Sequence, residues 1–475
     1  MNVPRPKKAL TLALCCAAQF MVILDVAIVN VALPAIQVDL GMGESALQWI
    51  VIAYGLLLGG FLLLGGRLGD LLGRRRVLLA GLAIFSGASL VAGLSGSAGP
   101  LIGARAFQGF GAALVAPSAL SILAVTFAEG RERNWALGIF GAIAGTSASV
   151  GVLASGVLTD GPGWSWIFFI NVPIGAALIL LAASILPADR PAAGSRRFDA
   201  VGASTVTAGL LLFVYALNRG ADHGWASAGT LALFGGAGAL LATFAVVESR
   251  SRSALVPVNV LRNRTMVAAD VASFLATAAF FSFIFLGSLL MQQVLRYSPT
   301  HTGVAWLATS VTAFVAAGLV GARLASLVGV KRLVVGGMSL LALGVAWLTR
   351  VPAGAEYLTD LMPAFVLAGI AIGMSAPSVQ IGALSGVRGA SAGLASGLVE
   401  TMREIGGAVG IAVVTTVLVT GTKDSGAALQ GFRSAFMVIV AIAALGAVVA
   451  AIAFPGPAPL EHAEAAVGAV SPGDR

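Results

Sequence analysis

Long apolar blocks separated by short polar segments dominate this chain. A block of about 20 apolar residues crosses a bilayer as a helix. Fourteen such blocks recur, at 9–33, 47–66, 76–96, 99–127, 134–158, 166–186, 200–218, 228–247, 266–291, 303–327, 332–350, 361–384, 397–420 and 433–454. The seventh and eighth are short and share a polar connection. Arg5, Lys7 and Lys8 precede the first block as they would a signal peptide. That block is too long for a signal segment, however, and contains Asp25 and Asn30, so it is expected to stay as a first span.

One polar segment organises the rest. Residues 65–81 read GGRLGDLLGRRRVLLAG, and residues 321–337 read GARLASLVGVKRLVVGG. At a constant offset Gly65 matches Gly321, Arg67 matches Arg323, Gly73 matches Gly329 and Arg76 matches Arg332, whereas Asp70 is replaced by Ser326. GFGAALVAPS (109–118) likewise resembles GIAIGMSAPS (369–378). Spans 1–6 therefore correspond to spans 9–14, with spans 7 and 8 inserted. The expected fold is an all-α integral membrane protein of two six-helix bundles, 1–186 and 265–455, around a central pair within 187–264. The Ala-, Gly- and Pro-rich tail 456–475 is expected to be disordered and cytoplasmic. Internal duplication in such a chain points first to a transporter.

Composition agrees. Hydrophobic residues make up 58% and charged residues 10%, against about 25% charged in a soluble domain. The 61 glycines suit close helix approach in lipid. A net charge of +8 raises the question of nucleic acid, but its placement excludes that reading. With the N-terminus inside, only Arg219, Arg296, Arg350, Lys423 and Arg433 fall on the outer side, and most other basic residues fall inside. This is the positive-inside bias, with both termini cytoplasmic. Arginine in excess of lysine, with much Ala and Gly, suggests a GC-rich bacterial genome and so a bacterial plasma membrane. Cys15 and Cys16 are adjacent and cannot staple distant segments. No GxxxxGK[ST] phosphate loop occurs. His223, His301 and His462 are scattered and no metal-ligand spacing appears, so neither enzyme, metal site nor cofactor is expected.

LDVAIVNVALPAI (24–36), GRLGDLLGRRR (66–76), RAFQGFGAALVAPSAL (105–120), WSWIFFINVPIG (164–175) and ETMREIGGAVGIAV (400–413) together resemble the major facilitator superfamily. Within it they resemble the fourteen-span drug:proton antiporters. The resemblance covers the chain except its tail. It implies a monomeric efflux transporter whose partners are a small drug-like substrate, protons and the bilayer. An exporter of an endogenous metabolite or lipid would share every motif; a membrane enzyme or sensor fits less well.

Candidate residues follow. Asp25 lies about 12 Å below the outer end of span 1 at 1.5 Å per residue. A carboxylate there must face the bundle interior, and protonation or pairing lowers its cost, which makes it a candidate proton carrier. Arg105 on span 4 sits at a similar depth and needs a partner, either Asp25 or a backbone carbonyl; the resemblance implies a role in proton coupling. Asp70 can stabilise the N-terminus of a neighbouring helix. The resemblance implies that Gly66, Asp70, Gly73 and Arg74 form a latch between the bundles. Glu400, Arg403 and Glu404 share one helix face. They are expected near the inner end of span 13 as an ion-paired group able to snorkel, or as a second proton or cation site. Asp270 is expected to be interfacial. Candidates for an apolar substrate cavity are Asn30, Trp49, Tyr54, Gln108 and Phe281, with Phe107, Phe168, Phe169, Phe280 and Phe283 as further aromatic possibilities.

The chain departs from the family pattern in three places. Residues 151–156 lack the proline and one glycine of the antiporter motif in span 5, which weakens the inference of antiport. Ser165 stands where arginine is usual, and Ala27 where threonine is frequent. The second bundle has no counterpart of Asp25 or Arg105.

Overall fold

The computed structural model describes residues 5–187, 199–251, 256, 262–352, 354–387, 391–425 and 428–455. The expected disordered tail, Arg388 and most of the connection 187–199 lie outside them. Every regular element among the described residues is helical. In chain order they are α1 (Arg5–Leu40), α2 (Glu44–Leu72), α3 (Arg74–Gly93), α4 (Ala98–Thr126), α5 (Arg131–Asp160), α6 (Asn171–Ile185), α7 (Ala200–His223) and α8 (Ala228–Arg250). The series continues with α9 (Arg264–Leu289), α10 (Leu307–Leu319), α11 (Val330–Leu348), α12 (Met362–Ala383), α13 (Ala392–Ser425) and α14 (Ala428–Ala453). Short helical pieces, Trp166–Phe169 and Pro299–Ala305, lead into α6 and α10. Among the described residues 13 helices are long and apolar enough to cross a membrane. The remaining expected span, 134–158, is the 30-residue α5. The chain is thus a multi-pass all-α membrane protein.

In the first bundle α4 packs on α2 and α3, α1 on α5, and α6 on α3. In the second, α12 packs on α10 and α11, and α13 on α9 and α14. The bundles meet along α2–α13 and α5–α10. The central helices α7 and α8 pack on each other, and α7 leans on α2 and α13.

The internal repeat persists in the backbone. Gly73 closes the α2–α3 turn at φ 99° and its counterpart Gly329 precedes α11 at φ 85°, a region that side chains with a Cβ avoid. A Cβ on Gly81 would meet Gly111 O at 2.9 Å, and one on Gly337 would meet Ala371 O at 2.7 Å. The same small-residue packing therefore joins α3 to α4 and α11 to α12, which suits association in lipid, where close van der Waals contact replaces a hydrophobic driving force.

Gly65 tests this packing. A Cβ there would run into the backbone carbonyl of Ala113, and backbone cannot swing aside. Gly65→Val is expected to cost about 1–3 kcal/mol by overpacking, read as a lower melting temperature of the detergent-solubilised protein. Gly87→Ala, with nothing within 4 Å of the new methyl, should melt like wild type.

Candidate functional site

Asp25 is fully buried in α1 and paired with the Nη1 of Arg105, itself buried in α4. A carboxylate has about four acceptor positions, and further donors use them. Gln108 Nε2 donates to Oδ1 at 3.0 Å and Asn171 Nδ2 donates to the same oxygen at 2.9 Å. Arg105 also holds partners that do not involve Asp25. Its Nε donates to Ile50 O at 3.2 Å, its Nη1 donates to Gln108 Oε1 at 3.0 Å, and the guanidinium lies 4.3 Å from the centre of the Tyr54 ring. Gln108 Nε2 donates in addition to Ser89 Oγ at 2.6 Å, which donates to Phe85 O. Helices α1, α2, α3, α4 and α6 thus converge on one polar knot. Asn171 and Ser89 escaped the sequence reading. Asn171 sits inside the quoted 164–175 stretch, and a polar side chain in a membrane span was the available signal; Ser89 carried none.

The bundle ends that carry the 65–81 turn meet at a second centre. Asp70, at the end of α2, accepts from Gly393 N at 3.0 Å and Leu394 N at 2.9 Å, the first-turn N–H groups of α13, and pairs with Arg74 at 2.9 Å. The unpaired N–H groups and positive dipole end of a helix favour a carboxylate there. Gly66 makes the approach possible: a Cβ on it would meet Gly393 O, and one on Gly397 would meet Leu62 O at 3.1 Å. Gly73 supplies the turn that follows and Arg74 the charge partner, so all four latch candidates gather here. A second inner contact was not foreseen. Glu129 Oε1 accepts from Gly386 N at 3.1 Å, and Arg133 Nη1 donates to Leu384 O at 3.4 Å. Ser326, the counterpart of Asp70, is exposed and donates within its own helix to Arg323 O. The carboxylate cap therefore exists at one of the two repeat positions.

Glu400, Arg403 and Glu404 lie about two to three turns into α13, which begins at Ala392 rather than 397. Glu400 is buried and pairs with Arg403 Nη2 at 2.7 Å, and the same nitrogen reaches Glu404 Oε1 at 2.9 Å. Tyr54, whose ring lies under Arg105, is on α2, and α2 packs on α13, the helix that carries the triad. Asp270, six residues into α9, is buried within the protein.

The cavity candidates disperse. Tyr54 and Gln108 belong to the Asp25 knot. Trp49 stacks on Tyr215 of α7 with ring centres 6.0 Å apart, where it seats the central pair. Phe281 lies against Gly407 of α13. The side chain of Asn30 lies outside the described residues. Phe107 is 65% exposed and turned away from any interior, because its position on α4 is opposite the buried Arg105–Gln108 face. Phe168 and Phe283 are fully buried packing. The altered span 5 is an unbroken α5 without proline. A Cβ on Gly151 would meet Ala27 Cβ at 2.8 Å, and Ser155 Oγ donates to Ile28 O at 2.7 Å. The smaller Ala27 is what the close α1–α5 contact accommodates. Ser165 opens the short helix before α6.

The Major Facilitator Superfamily model matches residues 15–411 and 269–472. The chain is 39% identical over 460 residues to the Cephamycin export protein CmcT of Amycolatopsis lactamdurans, covering 95% of this chain and 94% of that one. It is 38% identical to the Puromycin resistance protein pur8 of Streptomyces alboniger, covering 87% and 82%. Among solved structures, the human organic anion transporter MFSD10 (TETRAN) superposes with a TM-score of 0.71 at 15% identity, covering 94% of this chain and 100% of that one, a likeness of fold.

The knot makes a stability prediction. Arg105→Ala leaves the buried Asp25 charge without its cation, which typically costs about 3–5 kcal/mol, measured as lost thermal stability in detergent. Adding Asp25→Asn removes the stranded charge, so the double variant should be more stable than Arg105→Ala alone.

Proposed function

We propose that this chain, which belongs to the Major Facilitator Superfamily, is a proton-coupled efflux transporter of small apolar or cationic drug-like compounds, working by alternating access. The observation that carries the reading is a buried carboxylate whose cation partner has somewhere else to go. When a proton from the outer side binds Asp25, an O–H bond forms on the carboxyl and the Arg105 pair dissolves. Arg105 keeps Ile50 O, Gln108 Oε1 and the Tyr54 ring, while the neutral acid keeps the Gln108 and Asn171 donors. Protonation thus leaves one net positive charge in the knot, on Arg105, whose guanidinium still has two acceptors and a ring face. Return of Arg105 to Asp25 expels the proton on the inner side.

Glu400 and Glu404 supply carboxylates on the second bundle. Their shared Arg403 leaves the triad one net negative charge, suited to a second proton or a cationic substrate facing Tyr54. The Asp70 cap on α13, with Gly66 and Gly397 beneath it, closes the inner side, and its loss opens a path from the cytoplasm. The export and resistance named for the two bacterial relatives support the direction and the substrate class. By the same reasoning the protein acts as a monomer in a bacterial plasma membrane with both termini cytoplasmic. One proton moving inward through 100 mV supplies about 2.3 kcal/mol, enough for a roughly fifty-fold gradient of a neutral substrate.

Inside-out vesicles with an acid interior test this. Puromycin, taken from the name of one relative, should accumulate in the lumen and draw protons out of it, and Asp25→Asn should abolish both. Accumulation of puromycin with no change in lumen pH would refute proton antiport. Absence of any response to puromycin, cephamycins and a wider panel of cationic drugs would refute drug efflux. Asp70→Ala should lower the rate of accumulation at least several-fold while leaving puromycin binding to the solubilised protein intact, as expected for a gate rather than a binding residue.

A further inference from the structure

Asp270 is left without a role by the arrangement above. It stands six residues into α9, is buried, and its Oδ1 has no hydrogen-bond partner. Other buried carboxylates are held: Asp25 by Arg105, Asp70 by Arg74 and two N–H groups, Glu400 by Arg403, and Glu248 by the N–H of Val256.

The face of α9 that carries Asp270 is turned to α13. Ser273 Oγ donates to Val399 O at 3.5 Å, and Thr277 Oγ1 donates to Arg403 O at 2.9 Å, both at a sequence separation of 126. A Cβ on Gly406 would meet Phe274 Cα at 2.8 Å. Asp270 precedes Ser273 and Phe274 by one turn on that face. The same separation sets it level with Ser396, a fully buried hydroxyl that also has no partner. Two unpartnered polar groups therefore share one layer between α9 and α13. This layer lies one turn from the Gly393 and Leu394 N–H groups that Asp70 caps.

Among the described residues, no cation faces this layer from the packed helices. α12 carries no charged residue. On α14, Arg433 is at the opposite end and donates to Val351 O. On α11, Lys331 donates to Phe454 O and Arg332 is exposed. On α9 itself Arg264 is exposed. On α13, Glu400, Arg403 and Glu404 are paired among themselves further along the helix.

We propose that Asp270 is a second proton-binding site, occupied while α13 is docked on Asp70 and emptied when the inner ends of the bundles part. An ionised carboxylate in this layer, with a buried Oδ1 that no donor reaches, would be costly to bury. One O–H bond removes that charge. When the inner end of α13 leaves α2, cytoplasmic water reaches the layer, the proton passes to water, and the carboxylate becomes hydrated. Acid in the cytoplasm therefore favours the docked gate through Asp270. Asp70 has the opposite sign, since its charged form makes the dock. The coupling to the gate rests on the alternating-access reading; the protonation of Asp270 does not.

Infrared difference spectra of the purified full chain in lipid, recorded between acid and alkaline buffer, test the site without any substrate. The wild type should show a buried protonated-carboxyl band that Asp270→Asn lacks and Asp270→Glu shifts; the same band in Asp270→Asn would overturn the proposal. The gate is read with Val387→Cys, which lines the inner crevice between the bundles, after replacing the buried Cys15 and Cys16 by alanine. Labelling by a membrane-impermeant thiol reagent, divided at each pH by the labelling of the same cysteine in unfolded protein to remove the thiolate's own pH dependence, should rise several-fold with alkalinity. Asp270→Asn should lose this alkaline rise, keeping only the acid-side opening that Asp70 gives, and Asp270→Glu should restore it. A pH response in Asp270→Asn equal to that of wild type would overturn the coupling of the site to the gate.

Discussion

The cost of a carboxylate at membrane depth is the constraint from which the rest of this structure follows. Asp25 can exist there only with its charge matched or removed, and the chain spends parts of five helices on matching it. Arg105 supplies the cation, Gln108 and Asn171 the neutral donors, and Tyr54 a ring face for the guanidinium. A rigid ion pair would need only the first of these. The surplus of partners means that Arg105 would keep hydrogen bonds if its pair with Asp25 dissolved, as the proposed proton exchange requires.

The inner junction obeys a related rule with backbone in place of a cation. Asp70 answers the unpaired N–H groups of α13, and Gly66 and Gly397 let the helices come close enough for it to do so. The capping carboxylate and the capped helix belong to different bundles, so under the proposed alternating access this bond would break when the bundles part. The repeat lacks it: Ser326 is too short and turns back to its own helix. Duplication has thus produced two similar scaffolds with chemistry concentrated unevenly, the knot and the cap in the first, the Glu400–Arg403–Glu404 triad in the second.

Much of this was legible in the chain. Apolar block length located the spans, and the 65–81 repeat located both turn glycines, whose positive φ values confirm the match. Asp25, Arg105 and Asp70 stood out because charge in an apolar run demands explanation. Other features were hidden for physical reasons. Helix ends blur where small residues continue an apolar run, so α13 began earlier than expected. Aromatic residues carry no mark of the direction in which they point. Trp49 therefore looked like a cavity residue yet stacks on Tyr215, and Phe107 faces outward. Glu129, in a polar loop, gave no sign that it reaches Gly386, since that contact depends on how two bundles far apart in sequence come together. Asn171 was visible as a residue but not as a partner of Asp25, because their meeting requires α1 and α6 to be neighbours.

The central claim is that Asp25 exchanges its proton as substrate is taken up, and proton counting tests it most directly. Purified protein in weakly buffered solution with a pH indicator would be titrated with puromycin, and the protons released per puromycin bound would be compared between wild type and Asp25→Asn. The account predicts release from the wild type and one proton fewer from the variant. Equal release from both proteins would contradict it and return Asp25 to a purely structural part.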